Sequence, residues 1–347
     1  MTPVVTVLMA AYNGEALLPE TLRSLEAQTY REWELVVVDD RSTDGTAALL
    51  EAWPDPRVRL VRAEVNGGPV VARNSGLRHA RGRYIAALDH DDLCRPERLA
   101  RQVAFLDAHP DMVAVGTAAA FLTEDRTREA DHSAVTTPAL IGWLLRIENP
   151  LVWSSMMIRR DAALKLEPFT RPEILYAEDF DLYHRLSRLG GIARLDEVLV
   201  EYRVHAGGVS KRFADLMRAN AVTVLAEAHA ALFGERARRV AELLIEHVTL
   251  RETVPDRATL AELGEAIGRA QAHYLVSRPV SGDDQRLIRW ETARRWARIG
   301  RAGLRSGTLS LSDLVSVRPD HLGLGYEGLD SLMLSRAVGG ARRALRP

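Results

Sequence analysis

Tyr84-Ile85-Ala86-Ala87-Leu88-Asp89-His90-Asp91-Asp92-Leu93 joins an uncharged, mostly apolar run to three carboxylates within four positions. The run has the length of a buried strand, and Arg81-Gly82-Arg83 bounds it on the other side. Pro96 fits the first turn of a following helix that carries Leu99, Val103 and Leu106 on one face. The acids therefore fall at the carboxyl end of a strand, where open α/β sheets take ligands. Crowded negative charge needs a counter-charge. A hard divalent cation held by carboxylate oxygens supplies it and can in turn hold a diphosphate. Asp also caps helices and favours turns, so the cluster alone decides nothing and its flanks must.

Upstream, Val4 to Met9 reads as a buried first strand, Ala10 to Gly14 as a turn, and the stretch to about Gln28 as a helix with Leu17, Leu18, Leu22 and Leu25 in register. Glu34 to Val38 is a second strand ending in Asp39-Asp40-Arg41-Ser42-Thr43-Asp44-Gly45-Thr46. Val58 to Val61 is a third, and Asn66-Gly67-Gly68-Pro69 breaks the chain before a helix bearing Arg73. Strands alternating with helices predict βαβ units in a mostly parallel sheet. The ends of the strands at Ala11, Asp39 and Asp89 should line one edge.

The 347 residues allow one large domain or two, and 47% of them are apolar. A net charge of -1 gives no electrostatic case for nucleic acid. Cys94 is the single cysteine, which excludes an intrachain disulfide and a cysteine-rich zinc site. With no basic leader and no run of membrane-spanning length, a cytoplasmic protein is expected.

Val7-Leu8-Met9-Ala10-Ala11-Tyr12-Asn13, the Val36 to Thr46 segment, Asn66-Gly67-Gly68 with Ala72-Arg73-Asn74-Ser75-Gly76, and Asp89-His90-Asp91-Asp92 stand in the order and spacing of the signatures of family 2 glycosyltransferases. The chain resembles that family over about residues 3 to 210. The resemblance implies the GT-A fold, a Rossmann-like α/β sheet, mixed but mostly parallel and flanked by helices. It also implies an inverting transfer from a nucleoside diphosphate sugar, a UDP-sugar being favoured, with Mn²⁺ or Mg²⁺ on the diphosphate. Two positions depart from the family pattern: Ala11 stands where Pro is frequent and Arg41 where Gly is frequent. Arg41 adds a long cation near the nucleotide loop, to touch phosphate or to stay solvated, and the solvated reading is slightly preferred.

By this resemblance Ala11, Tyr12, Asn13, Asp39 and Asp40 hold base and ribose, Asp39 before Asp40, with Tyr12 offering a ring for stacking. Gly67 and Arg73 approach the nucleotide, the arginine fork suiting phosphate or a base carbonyl. Asp91 is the preferred metal ligand and Asp89 reaches ribose or metal. His90 belongs to the donor-side motif as its variable residue, turned from the metal, and His205 in Tyr202-Arg203-Val204-His205 completes the shell or meets the diphosphate. The segment Ala177-Glu178-Asp179-Phe180-Asp181-Leu182 opens a helix. Acids there are explained by the helix dipole alone, but Glu178-Asp179 matches the family's catalytic-base motif. Asp179 is the expected base and Glu178 its orienting neighbour.

Trp153 to Ile158 reads as a strand, residues 123–138 as a loop, and Gly207-Gly208 as a flexible segment over the donor. From residue 213 the chain turns rich in Ala, Arg, Leu and Glu at helical spacing, beyond the reach of the resemblance. The expected division is a catalytic domain over 1–212 and a helical domain over 213–347, the latter serving acceptor, dimer or membrane surface. A last helix near 328–345 sets Arg336, Arg342, Arg343 and Arg346 beside Leu332, Leu334, Val338 and Leu345, so a peripheral contact with the inner face of a membrane is one expectation. Packing on the preceding helices, across a homodimer if not within the chain, is the preferred one. The acceptor is a glycan, a lipid-linked sugar or a small molecule. The rivals are a nucleotidyltransferase on a related fold, disfavoured by the lack of a Gly- and Lys-rich triphosphate loop, and a non-catalytic binding protein, disfavoured by the joint presence of both acidic motifs.

Overall fold

A computed structural model describes residues 3–123, 127–129, 133–205, 212–317 and 329–344. The chain divides into two compact units, Met1–Ile141 with Pro150–Asn220, and Gly142–Asn149 with Ala221–Pro347.

The first unit is built on one sheet, nine-stranded among the described residues. Its strands are β1 (Val5–Ala11), β2 (Trp33–Asp39), β3 (Val58–Arg62), β4 (Tyr84–Ala87), β5 (Leu93–Cys94), β6 (Met112–Leu122), β7 (Thr127–Glu129), β8 (Met157–Arg159) and β9 (Gly191–Arg203). The order is β3-β2-β1-β4-β8-β6-β9-β5, with β7 on β6. β1 to β4 form the parallel half, and β8 runs antiparallel between β4 and β6. β1, β2 and β4 are buried along their length apart from Ala10, in keeping with their Val-, Leu- and Ala-rich sequences. Ala11 lies opposite Asp39 and Leu8 opposite Ala87, so the polar ends of β1, β2 and β4 emerge at one edge. The helices α1 (Leu18–Glu26), α2 (Thr46–Ala52), α3 (Gly68–His79) and α4 (Arg98–Ala108) follow in turn, and α5 (Pro138–Leu144), α6 (Arg160–Ala163) and α7 (Glu178–Leu186) come later in the chain.

Trp153 to Ile158 departs from its reading as a strand. Trp153–Ser155 is a 3₁₀ turn and only Met157–Arg159 pairs. The turn has a purpose in packing: the Ser154 Oγ accepts the Asp89 N–H at 3.1 Å and Ser155 Oγ donates to the Val152 carbonyl at 2.7 Å. A buried apolar run looks the same in either conformation, since periodicity cannot separate them. Residues 127–129 of the expected loop pair with β6. Gly207-Gly208, the rest of that loop's tip and the side chains of Arg342, Arg343 and Arg346 lie outside the described residues.

The second unit is helical, with Ala221 to Phe233, Ala237–Leu243, Arg257–Ser277, Gly282–Ser306, Leu311–Ser316 and Leu329–Ala344. The short segment 142–149 is fixed in it by polar side chains. Trp143 Nε1 and Gln271 Nε2 both donate to Thr292 Oγ1, at 2.9 and 2.6 Å. Arg295 Nε donates to Glu148 at 2.8 Å, and the same guanidinium reaches Glu291 at 2.5 Å. Among the described residues no helix is long and apolar enough to cross a membrane.

His229 is buried there, its Nε2–H donating to the Arg146 carbonyl at 2.7 Å. Burial pushes its imidazole down to about 4, from an ordinary 6.5. The folded state thus keeps His229 neutral where the unfolded chain takes up a proton. Its contribution to stability is complete above pH 6.5 and declines as pH falls toward 4, by on the order of 3 kcal/mol in all. His229→Gln keeps a donor for the carbonyl and removes the titration. Urea midpoints between pH 7 and 4.5 should fall less steeply in this variant than in the wild type; parallel slopes would refute the assignment.

Candidate active site

At the end of β1 the chain turns through Tyr12, 44% exposed, and Asn13, whose backbone is left-handed at φ 50°. Asn13 Oδ1 accepts the Thr43 N–H at 2.8 Å and its own N–H donates to Ser42 Oγ at 3.0 Å, which stitches this turn to the loop after β2. Ala11 accepts the Asp40 N–H at 2.8 Å. Asp39 is buried and accepts the Ser42 N–H at 3.3 Å.

Asp40 faces the other way. Its carboxylate takes the N–H of Gly67 at 2.8 Å and of Gly68 at 2.7 Å, so it fixes the Gly67-Gly68 turn that opens α3. Gly68 has φ 78°, a conformation that glycine adopts without penalty. Burial raises the Asp40 carboxyl above its usual range despite these two donors.

Arg73, one turn into α3, is 6% exposed, and its fork is turned inward. One terminal nitrogen lies 2.5 Å from Glu178 Oε1 and the other 2.9 Å from Asp89 Oδ1. The guanidinium sits over the Trp153 ring, 4.3 Å from its centroid, a favourable cation–π placement. Burial opposes the charge on Arg73, but Asp89, Glu178 and Asp179 together hold its pKa above the ordinary value. One arginine thus joins the acidic motif after β4 to the acidic motif that opens α7 (Glu178–Leu186), across 16 and 105 residues of sequence. Within α7, Glu178 is buried while Asp179 is half-buried. Asp179 Oδ1 accepts the Phe180 N–H at 2.7 Å. Tyr176 precedes them in left-handed conformation, φ 68°, its ring stacked on Phe213 at 4.4 Å. Asp181 is drawn off to Arg171 and Arg185 at 2.6 and 2.8 Å.

Asp91 Oδ2 lies 2.9 Å from His205 Nε2. Arg203, on β9, donates from Nε to the Asp91 carbonyl at 2.9 Å, and its own N–H reaches Asp92 Oδ1 at 2.8 Å. These bonds fasten the end of β9 to the turn after β4 and bring His205 to Asp91. Asp92 is buried; burial first, then the charges of Asp91 and Asp89, push its carboxyl well above the ordinary range. His90 turns back to β1, its Nδ1 3.3 Å from the Ala10 carbonyl.

A carboxylate oxygen and an imidazole nitrogen converging at Asp91 and His205 suit a divalent cation such as Mn²⁺ or Mg²⁺. Among the described residues no group of three such side chains forms a ready cage. A cation held by these two side chains would draw its remaining ligands from phosphate and water, the usual arrangement for Mg²⁺ at nucleotides.

Sequence reasoning found every one of these acids but missed what holds them. The inward fork of Arg73, the ring of Trp153 beneath it and the fastening by Arg203 and Asp92 carry no local signal. Only the Tyr202-Arg203-Val204-His205 run hinted at the last.

A model of glycosyl transferase family 2 matches residues 6–166. The putative glycosyltransferase EpsE of Bacillus subtilis is 32% identical over 228 residues, which cover 64% of this chain and 81% of that protein. The Escherichia coli UDP-Glc:alpha-D-GlcNAc-diphosphoundecaprenol beta-1,3-glucosyltransferase WfaP is 29% identical over 219 residues, 62% of this chain and 83% of that one. The match covers less of other relatives, 32% and 15% of two of them. Among solved structures, S. aureus TarS 1-349 in complex with UDP-GlcNAc superposes with a TM-score of 0.53 at 19% identity, over 87% of this chain and 92% of that one. That likeness is one of fold. With the sheet order and the matched segments, these similarities place the chain in glycosyltransferase family 2, as a glycosyltransferase of the GT-A fold.

Proposed function

We propose that this glycosyltransferase moves a sugar from a nucleoside diphosphate sugar to an acceptor hydroxyl with inversion, in the assembly of a surface polysaccharide or glycolipid. The observation that carries the proposal is the convergence of two acidic motifs, Asp89 and Glu178, on one buried arginine. That contact sets a donor-side carboxylate cluster beside an acid pair. Tyr12, Asn13 and Asp39 take the nucleoside. Asp91 and His205 hold the cation, with Asp89 beside them. Asp40 with Gly67 and Arg73 act by shaping this crevice, since the Asp40 carboxylate, the Gly67 N–H and both terminal nitrogens of Arg73 are engaged by protein partners. When bound, the divalent cation neutralises charge on the departing diphosphate.

Asp179 takes the proton from the acceptor hydroxyl as it attacks the anomeric carbon, because a hydroxyl is a weak nucleophile until a base accepts its proton. Glu178, anchored by Arg73, keeps Asp179 in place. Attack opposite the leaving group turns an α-linked donor into a β-linked product. The acceptor in WfaP's name, a sugar on diphosphoundecaprenol, makes a lipid-linked acceptor the first to try here. The helical unit is read as serving that acceptor.

A panel of nucleoside diphosphate sugars, with and without Mn²⁺, tests the reading through release of the nucleoside diphosphate. Metal-dependent release from one donor is expected. Asp91→Ala should weaken binding of that nucleoside diphosphate about tenfold or more in the presence of Mn²⁺ and little in its absence, since a charge-assisted ligand is lost. Equal binding by both proteins under both conditions removes Asp91 from the metal shell.

A further inference from the structure

Arg41 is held in the left-handed region at φ 63°, immediately after the buried Asp39 and Asp40. An L residue with a long side chain adopts this conformation at a cost that Gly escapes and that Asn, as at Asn13 opposite, largely escapes. Such strain marks positions where something other than the local fold selects the residue. The Arg41 side chain is exposed and makes no ion pair or hydrogen bond with the described residues. Its two acidic neighbours are engaged elsewhere, Asp39 with the Ser42 N–H and Asp40 with Gly67 and Gly68. The exposed Arg41 thus stands on the loop after β2 that Asn13 ties to the turn bearing the 44% exposed Tyr12 ring.

We infer that Arg41 is a nucleoside-contacting residue of the donor site, its guanidinium laid on or hydrogen-bonded to the nucleobase opposite Tyr12. The inference rests on the glycosyltransferase site proposed above. Sheet order selects the nucleoside over the phosphates. β1 separates β2 from β4, which sets the end of β2 about 10 Å, two strand spacings, from the Asp91 turn. A planar fork suits both the face and the carbonyls of a base. Arg41 therefore adds affinity that does not pass through the metal.

The test compares Arg41→Gly and Arg41→Ala with the wild type by calorimetric titration of UMP without metal and UDP with Mn²⁺, then GMP and GDP. Both variants should bind the monophosphate and the diphosphate about 5- to 30-fold more weakly, by a similar factor in each, as expected for loss of a charged hydrogen-bonding group. Arg41→Gly should meanwhile keep or raise the melting temperature, by up to about 3 °C, because the strain is relieved; weaker binding then cannot come from unfolding. Wild-type affinity in Arg41→Ala overturns the inference, as does a loss confined to the diphosphate, which would put the guanidinium on phosphate. A wild-type protein that binds none of the four nucleotides overturns the donor-site reading itself. Binding by the wild type that Arg41→Gly and Arg41→Ala leave unchanged overturns only the role of Arg41.

Discussion

Asp179→Asn should abolish sugar transfer while leaving donor binding intact. The amide has the size of the carboxylate, and its oxygen can still accept the Phe180 N–H that Asp179 Oδ1 holds at 2.7 Å. The start of α7 therefore keeps its form, and the buried Arg73–Glu178 contact beside it is untouched. What disappears is a group able to take a proton from the acceptor. General-base catalysis is worth about 10² to 10⁴ in rate, so nucleoside diphosphate release with acceptor present should drop by at least about a hundredfold. The dissociation constant for the bare nucleoside diphosphate with Mn²⁺ should stay within about twofold, since the base meets the acceptor and not the leaving group. Turnover near the wild-type rate would sink the assignment. Loss of binding together with turnover would move Asp179 from acceptor chemistry to the donor pocket. Glu178→Gln separates the two acids further: it leaves the base in place but frees Arg73 from one of its two partners, so a partial loss of rate is expected.

The parts of this site that could be read from the sequence are those whose signal is local. The strand before Asp89 shows in five consecutive buried residues, Tyr84 to Leu88, and the acids after it show in composition. The acids of α7 announce themselves because Leu182 and Leu186 set the helical period behind them. The contacts that assemble the site are of another kind. Arg73 meets Glu178 across 105 residues and Arg203 meets Asp92 across 111; no periodicity predicts which acid a buried arginine selects. Trp153 is a similar case. Its ring reads equally as a sugar platform or a core side chain on a strand, and it is a buried ring beneath a guanidinium, in a 3₁₀ turn that presents Ser154 to Asp89. Arg41 was the least legible of all, because its backbone contradicts its residue type. The sequence reading weighs a phosphate contact against a solvated side chain, prefers the latter, and is silent on the backbone. The left-handed φ is visible only in the folded chain.

Arg73→Gln should cost more stability than any other single change at the site, and a second substitution should restore stability without restoring activity. The arginine is buried between Asp89 and Glu178, with Trp153 under its face. Removing one partner of a buried ion pair strands the other charge in a poorly solvating environment, which destabilises proteins by about 3–5 kcal/mol. Here Glu178 is left buried with no cation, and it must take up a proton or draw in water. Asp89 is better hydrated and suffers less. Replacing Glu178 by Gln in the same chain removes the stranded charge and lets two amides hydrogen-bond, so the double variant Arg73→Gln/Glu178→Gln should regain about half of the lost stability or more. The coupling between the two sites in a double-mutant cycle should then be on the order of 2 kcal/mol, well above the level of independent positions. Activity should not follow. Both variants lose the arginine that ties the acid pair of α7 to Asp89, so nucleoside diphosphate release should remain down by at least about a hundredfold in each, as misplacement of reacting groups by about 1 Å is enough to cause. Urea midpoints and release assays on the two single variants, the double variant and the wild type decide it. Additive losses of stability would show that Arg73 and Glu178 are neighbours without being partners. Recovery of activity along with stability would mean that the pair only supports the fold, and that the acids after β4 and at the start of α7 need no common cation to work together.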